Sequence, residues 1–145
     1  MKIIITLPLQ PVACPRPRVS KFGTYYPKTY KEYVKRASAF INLEYQKHIG
    51  VLQDDMLEID CTFVFNRPNY MYAKKYAAGR IPHTKRPDVD NLVKATNDVL
   101  QATNIIKDDS QIYYLSCRKY YSAKEEGPSI TIQIKKGLDV TTQHI

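Results

Sequence analysis

Four stretches of this chain carry strand patterning and two carry helical spacing. Ile3, Ile5 and Leu7 alternate with Lys2, Ile4 and Thr6 and stop at Pro8, which predicts a short first strand. Pro11, Pro15, Pro17 and Pro27, together with Gly23, predict a loop from Gln10 to Pro27. Thr29 and Glu32 then have the spacing of a capping box. The helix they predict has an apolar stripe of Tyr30, Tyr33/Val34, Ala37, Phe40/Ile41 and Tyr45 and stops near Gly50. Leu57, Ile59, Cys61, Phe63 and Phe65 form the clearest strand, ended by Pro68. The segment up to Pro87 reads as a long loop or mobile arm, a length that is usually functional. A second helix is expected from just after Pro87 to about Ala102, with Leu92/Val93, Thr96 and Val99/Leu100 buried. Strands from about Ser110 to Tyr121 and from Ser129 to Lys135 follow, joined by a turn at Glu125–Pro128. The pattern predicts an α+β fold in two layers, with a roughly four-stranded, mostly antiparallel sheet covered by two helices.

A length of 145 residues predicts one domain spanning residues 1–145. A hydrophobic content of 43% with 25% charged residues excludes a disordered chain, and no apolar run is long enough to span a membrane. Pro8, Gln10 and Pro11 also cut the N-terminal apolar run short of an export signal. Cys14, Cys61 and Cys117 lack metal-ligand or disulfide spacing, which fits a reduced, cytoplasmic compartment. The net charge of +8 calls for an acidic partner. More than half of the basic residues lie in two stretches, Arg16–Arg36 and Arg67–Arg86, which hold almost no acid. The carboxylates gather elsewhere, at Asp54–Asp60 and at Asp88, Asp90, Asp98, Asp108 and Asp109. Such segregation suits a metal-dependent enzyme acting on a polyanion.

Between Pro87 and Gln111 the residues carry chemistry. Asp88 and Asp90 would diverge by about 200° within a regular helix. With Asp88 still extended at the helix start, both can turn toward one point. Taken alone, the pair is more simply read as capping and dipole stabilisation. Lys94 shares a face with Asp90, either as a surface salt bridge or as a neutraliser of charge on a reacting phosphate. Asp108 and Asp109 suit a turn, yet the short return through Thr103–Lys107 could also bring them back beside the start of the helix. Three carboxylates gathered there would form an oxygen-rich site for Mg²⁺ or Mn²⁺.

The run Lys85-Arg86-Pro87-Asp88-Val89-Asp90-Asn91-Leu92-Val93-Lys94-Ala95, with Asp98-Val99-Leu100 and Ile106-Lys107-Asp108-Asp109-Ser110-Gln111-Ile112, resembles the RusA family of Holliday junction resolvases. Pro15-Arg16-Pro17-Arg18 and Tyr26-Pro27-Lys28 are similar to that family's basic N-terminal loop. The resemblance implies a homodimeric, Mg²⁺-dependent endonuclease that resolves four-way DNA junctions by paired symmetric cuts, in recombination and repair. It places Asp88, Asp90 and Asp109 at the metal-binding positions and Lys94 at the catalytic lysine, with Asp108 beside the ligand.

Asn91 and Gln111 are candidates to hold the carboxylates in place, or are simply polar surface residues. Arg16, Arg18, Lys21, Lys28, Lys74, Lys75, Lys85 and Arg86, in basic loops at about 10–27 and 67–87, are candidate phosphate contacts. Tyr70, Tyr72 and Tyr76 either stack on unpaired bases or pack their own loop. Neither a membrane nor a small-molecule cofactor is expected, and the place of action is the cytoplasm, at the nucleoid. A broader flap or fork nuclease would keep the same site residues. A non-catalytic DNA-binding module would explain the charge but not the clustered acids.

Overall fold

The computed structural model describes residues 1–138. The expected single domain runs on to Ile145, and its last seven positions lie outside the described residues. The elements, in order, are β1 (Lys2–Leu7), β2 (Arg18–Ser20), β3 (Gly23–Tyr25), α1 (Lys28–Glu44), β4 (Leu57–Phe65), β5 (Ile81–Pro82), α2 (Val89–Ala102), β6 (Ile112–Tyr121) and β7 (Ser129–Lys136). The α+β class and the two layers are as expected. The sheet has five strands in the order β1-β7-β4-β6-β5, while β2 and β3 form a separate hairpin. Three of the pairings in the larger sheet are antiparallel, but β4 and β6 run parallel.

Alternation drives this sheet. Ile3, Ile5 and Leu7 of β1, Leu57, Ile59, Cys61, Phe63 and Phe65 of β4 and Ile130, Ile132 and Ile134 of β7 point to one face and are buried there. Tyr30, Tyr33, Ala37 and Ile41 of α1 and Leu92, Val93, Thr96, Val99 and Leu100 of α2 close that face from above. The other face is open, with Ile4, Glu58 and Ser116 at least partly in solvent. No helix among the described residues is long and apolar enough to cross a membrane.

Two local expectations are corrected. The capping box at Thr29 does not form, because α1 begins a residue earlier, at Lys28, behind Pro27. The Pro27 carbonyl accepts from the amides of Tyr30 and Lys31, so Thr29 lies inside the first turn and Glu32 instead approaches Lys28 at 3.9 Å. Nor is the segment after Pro68 an unattached arm. It folds around Arg67, a residue counted above among the basic stretches, which is only 4% exposed. Its guanidinium donates to the carbonyls of Ser122 (2.6 Å), Met71 (2.8 Å), Ala77 (2.7 Å) and Gly79 (2.5 Å). A planar cation with five donors can serve several backbone acceptors at once, which an ammonium cannot. Beyond it, β5 pairs with the end of β6, and His83 stacks on Tyr121 at 4.2 Å between ring centroids. Burial, then the charges of Lys119 and Lys85, hold the His83 imidazole below its usual pKa.

Leaving a buried acceptor unpaired costs about 1–3 kcal/mol, so losing a side chain that serves several costs about 3–5 kcal/mol. Arg67→Met should therefore lower stability by about that amount, and Arg67→Lys by nearly as much. Limited proteolysis should find new cleavage between residues 69 and 80 in both variants. A variant that melts like the parent and resists protease there would contradict the assignment.

Candidate active site and basic rim

The site grows from the start of α2. Asp88 occupies the N-cap position with extended backbone, but its side chain accepts no capping hydrogen bond. The carboxylate is therefore not consumed by the helix it begins. Asp90, in the first turn, turns one oxygen onto the amide of Asn91 at 2.9 Å. The positive end of the helix dipole lies beneath both and suits anionic ligands as well as these acids.

The N-terminal loop forms the opposite wall. The Cys14 amide donates to the carbonyl of Asn91 at 2.9 Å and so ties the loop to the first turns of α2. Between the two elements lies a cleft of about 560 Å³ that contains Asp88, Asp90, Asn91, Lys94 and Arg16. A second hollow adjoins it, sharing Arg16, Asp88 and Asn91 and adding Arg86. Another depression, bounded by Asp60, Ser116 and Arg118, lies on the open face of the sheet, where Asp60 is engaged by Ser116 and Arg118.

Lys94 does not pair with Asp90. Its ammonium donates to Asp98, one helical turn farther on, at 2.8 Å. Asp98 is the better acceptor because the Tyr30 hydroxyl already holds it, donating to its other oxygen at 2.6 Å. The hydrogen bond to Asp98 raises the Lys94 pKa, so the lysine stays charged at neutral pH. Burial, then the bond to Asp98, pushes the Tyr30 hydroxyl well above its ordinary range. The Cys14 thiol completes the cluster, 3.9 Å from the same oxygen of Asp98.

Asp109 stands apart. The return through Thr103–Lys107 leaves it at the far end of α2, where its amide donates to Gln101 at 2.7 Å. About 16 Å of helix separate Asp90 from Gln101. Strand β6 gives the same answer. Lys119, about 23 Å along the strand from Ile112, is the residue that reaches the start of α2, donating to the carbonyls of Lys85 and Pro87. Among the described residues of one chain, no three Asp, Glu, His or Cys side chains are grouped closely enough to hold a metal. The expected return of Asp109 to the helix start does not occur.

Asp108 and Gln111 organise the connection. Asp108 accepts from the amide of Ser110; the Ser110 side chain, then this amide, holds its carboxyl below the ordinary pKa, and Gln111 reaches back to the amide of Asp108 at 3.1 Å. This is a true capping box around a single 3₁₀ turn. The Gln111 amide nitrogen donates to the carbonyls of Leu52 and Asp55, so it touches no carboxylate side chain. Asn91 lines the cleft beside Asp88 and Asp90.

All eight candidate phosphate contacts are exposed. Arg16 and Arg86 are at the cleft, Arg18 and Lys21 on the β2–β3 hairpin, and Lys28 at the start of α1. Lys74 and Lys75 lie on the loop folded around Arg67, and Lys85 lies between β5 and α2. The tyrosines of that loop are partly engaged. Tyr70 and Tyr76 pack edge to face at 5.9 Å, and Tyr72 lies 5.9 Å from the Arg67 guanidinium. Asp98, Tyr30, Gln101 and Lys119 were not among the candidates. Lys119 did leave a signal, a charged residue among the core-facing positions of a strand, between Cys117 and Tyr121.

A sequence model of the RusA endodeoxyribonuclease family matches residues 8–135. The chain belongs to the RusA family. The match takes in both walls of the cleft, from the N-terminal loop through α2 to Asp109, and ends within β7. A further similarity is to the uncharacterized protein YqaN of Bacillus subtilis (strain 168), 40% identical over 63 residues. That alignment covers 43% of this chain and 42% of the relative.

Proposed function

We propose that this RusA-family chain is a divalent-metal-dependent endonuclease that resolves four-way DNA junctions by paired symmetric cuts, in recombination and repair at the nucleoid. The observation that carries this reading is the cleft at the start of α2. Two carboxylates and a charged lysine lie there beneath a rim containing Arg16 and Arg86. Acids alone would repel a phosphodiester, whereas acids neutralised by a cation would draw it in.

The donor set fits a hard cation. Asp88 and Asp90 present carboxylate oxygens in an open cleft, both side chains exposed, the chemistry preferred by Mg²⁺ and Mn²⁺. Such an ion polarises the phosphoryl oxygen and lowers the pKa of its bound water. Lys94, held by Asp98, is positioned to neutralise charge that builds on the phosphate during in-line attack. Arg16 and Arg86 would hold the flanking phosphates, and loss of a 3′-hydroxyl would leave a nick that a ligase can seal.

One chain lacks the third carboxylate, and a second copy would supply it. Only Tyr120 and Tyr121 of β6 pair with β5, so the edge from Ile112 to Arg118 has no strand partner among the described residues. Tyr113, Tyr114 and Leu115 are exposed along this stretch. A bare strand edge with large apolar residues is a template for pairing. A two-fold axis near its middle would place Ile112 of a second copy opposite Arg118. Asp109 of that copy would then lie toward the end where Lys119 meets Pro87. The homodimer and a complete set of Asp88, Asp90 and Asp109 thus follow from one pairing.

The activity is tested with labelled four-way, flap, fork and linear DNAs in Mg²⁺, Ca²⁺ or EDTA. Paired cuts in four-way junctions with Mg²⁺ alone are expected, and Asp90→Asn should bind as the parent does with cleavage reduced at least a thousand-fold. Cutting of every branch would instead indicate a broader nuclease, and binding without cutting a DNA-binding module. Leu115→Glu should shift the protein from dimer to monomer in sedimentation and abolish cleavage. An active monomer would contradict the dimeric site.

A further inference from the structure

The β2–β3 hairpin carries the largest apolar exposure in the described structure outside any packed surface. Phe22 at its tip is 89% exposed, with Val19 and Tyr25 on its arms also in solvent. Isolated apolar residues on a surface need no special explanation. Three features set this one apart. First, the tip is built rather than loose. The Ser20 hydroxyl accepts from the Phe22 amide at 3.2 Å and lies 3.3 Å from the Gly23 carbonyl. Gly23 closes the turn at φ +119°, a conformation that a side chain would strain.

Second, the surroundings are cationic. Arg16, Arg18, Lys21 and Lys28 flank the tip, no acid occurs from residue 10 to 27, and the Lys21 ammonium lies 5.1 Å from the Phe22 ring centroid. Third, the stem leads into the cleft, because Pro15, Arg16 and Pro17 line it beside Asp88 and Asp90. An extended arm from Pro17 to Phe22 reaches at most about 17 Å. At about 3.4 Å per nucleotide of one strand, that is some five base steps.

We propose that Phe22 is an aromatic wedge, carried on a cationic hairpin, that enters the base stack of bound DNA within about five nucleotides of the scissile phosphate. The proposal rests on the DNA-cleaving assignment of the adjoining cleft and adds the element that detects unstacked bases. Every base offers a face to stack on, so such a contact senses distortion rather than sequence. At a four-way junction the strands that exchange partners give up stacking near the crossover, where insertion costs least. In continuous duplex the wedge would have to break a full stack. The exposed apolar tip would thus favour branched over linear DNA while the flanking cations contribute affinity to both. Aromatic residues beside cations also suit an anionic lipid surface. DNA is favoured because the same loop lines the carboxylate cleft.

The test uses the full chain carrying Asp90→Asn, on junctions with 2-aminopurine placed stepwise outward from the cutting position. Fluorescence should rise several-fold at a position within five nucleotides of it. Adding Phe22→Ala should abolish the rise and weaken junction binding roughly ten- to hundred-fold, with linear duplex binding little changed. Phe22→Trp should preserve both signals. Because the side chain is 89% exposed and meets only the Lys21 ammonium, circular dichroism and melting of all variants should match the parent. Unchanged fluorescence and affinity in Phe22→Ala would overturn the wedge while leaving the nuclease assignment standing. Phe22-dependent binding to phosphatidylserine vesicles, with the junction signal unaltered, would also overturn it. A parent protein that binds no junction would instead defeat the functional reading itself.

Discussion

The parallel pairing of β4 and β6 is the constraint on which the rest of the structure depends. Two parallel neighbours cannot be joined by a hairpin, so the chain must cross back over the sheet before the second strand begins. Here residues 66–111 make that crossing, with α2 as its return limb. The geometry fixes which end of α2 meets which end of the strands. The helix start, with Asp88 and Asp90, falls where β4 and β6 finish, the usual place for a binding crevice beside parallel strands. The helix end, and Asp109 after it, falls where β6 starts. A chain built this way cannot bring the three carboxylates together by itself, however close they are in sequence.

The same crossing explains the partition of charge. Its first limb would be a long unsupported loop were Arg67 not buried in the middle of it, with its donors spread over backbone carbonyls from residue 71 to 122. One of the basic residues is therefore structural, and the count of positive charges overstates what is available to a polyanion. Among the exposed ones, Arg16 of the N-terminal loop and Arg86 just before α2 border the carboxylate cleft. Lys94 sits within this field but has its own counter-ion in Asp98, so its position does not depend on DNA being present.

Strand and helix spans were legible because their patterns are local: β4 runs from Leu57 to Phe65 and α2 ends at Ala102, as the alternation and the apolar stripe require. Pairing was not legible, since nothing within β4 or β6 states which neighbour it will take or in which direction. The two-residue strand β5 is too short to carry a pattern at all. The capping box at Thr29 was a correct motif in the wrong place, overridden by a proline two residues earlier that fixes the start of the helix. Asp88, Asp90 and Lys94 could be read because a short stretch of helix presents them together. The partner of Lys94 could not, because Asp90 and Asp98 flank it at equal spacing and the choice is made by Tyr30 from another helix.

The central claim is that a working site takes Asp88 and Asp90 from one chain and Asp109 from another. Subunit exchange between Asp90→Asn and Asp109→Asn proteins, each inactive alone, tests it most directly. In a mixed dimer one site then carries both substitutions and the other carries none. The account predicts that mixing restores Mg²⁺-dependent cleavage of four-way junctions, as single nicks rather than paired cuts. If each site instead draws all its carboxylates from one chain, both sites of the mixed dimer are damaged, and a mixture that stays inactive after complete exchange would contradict the account.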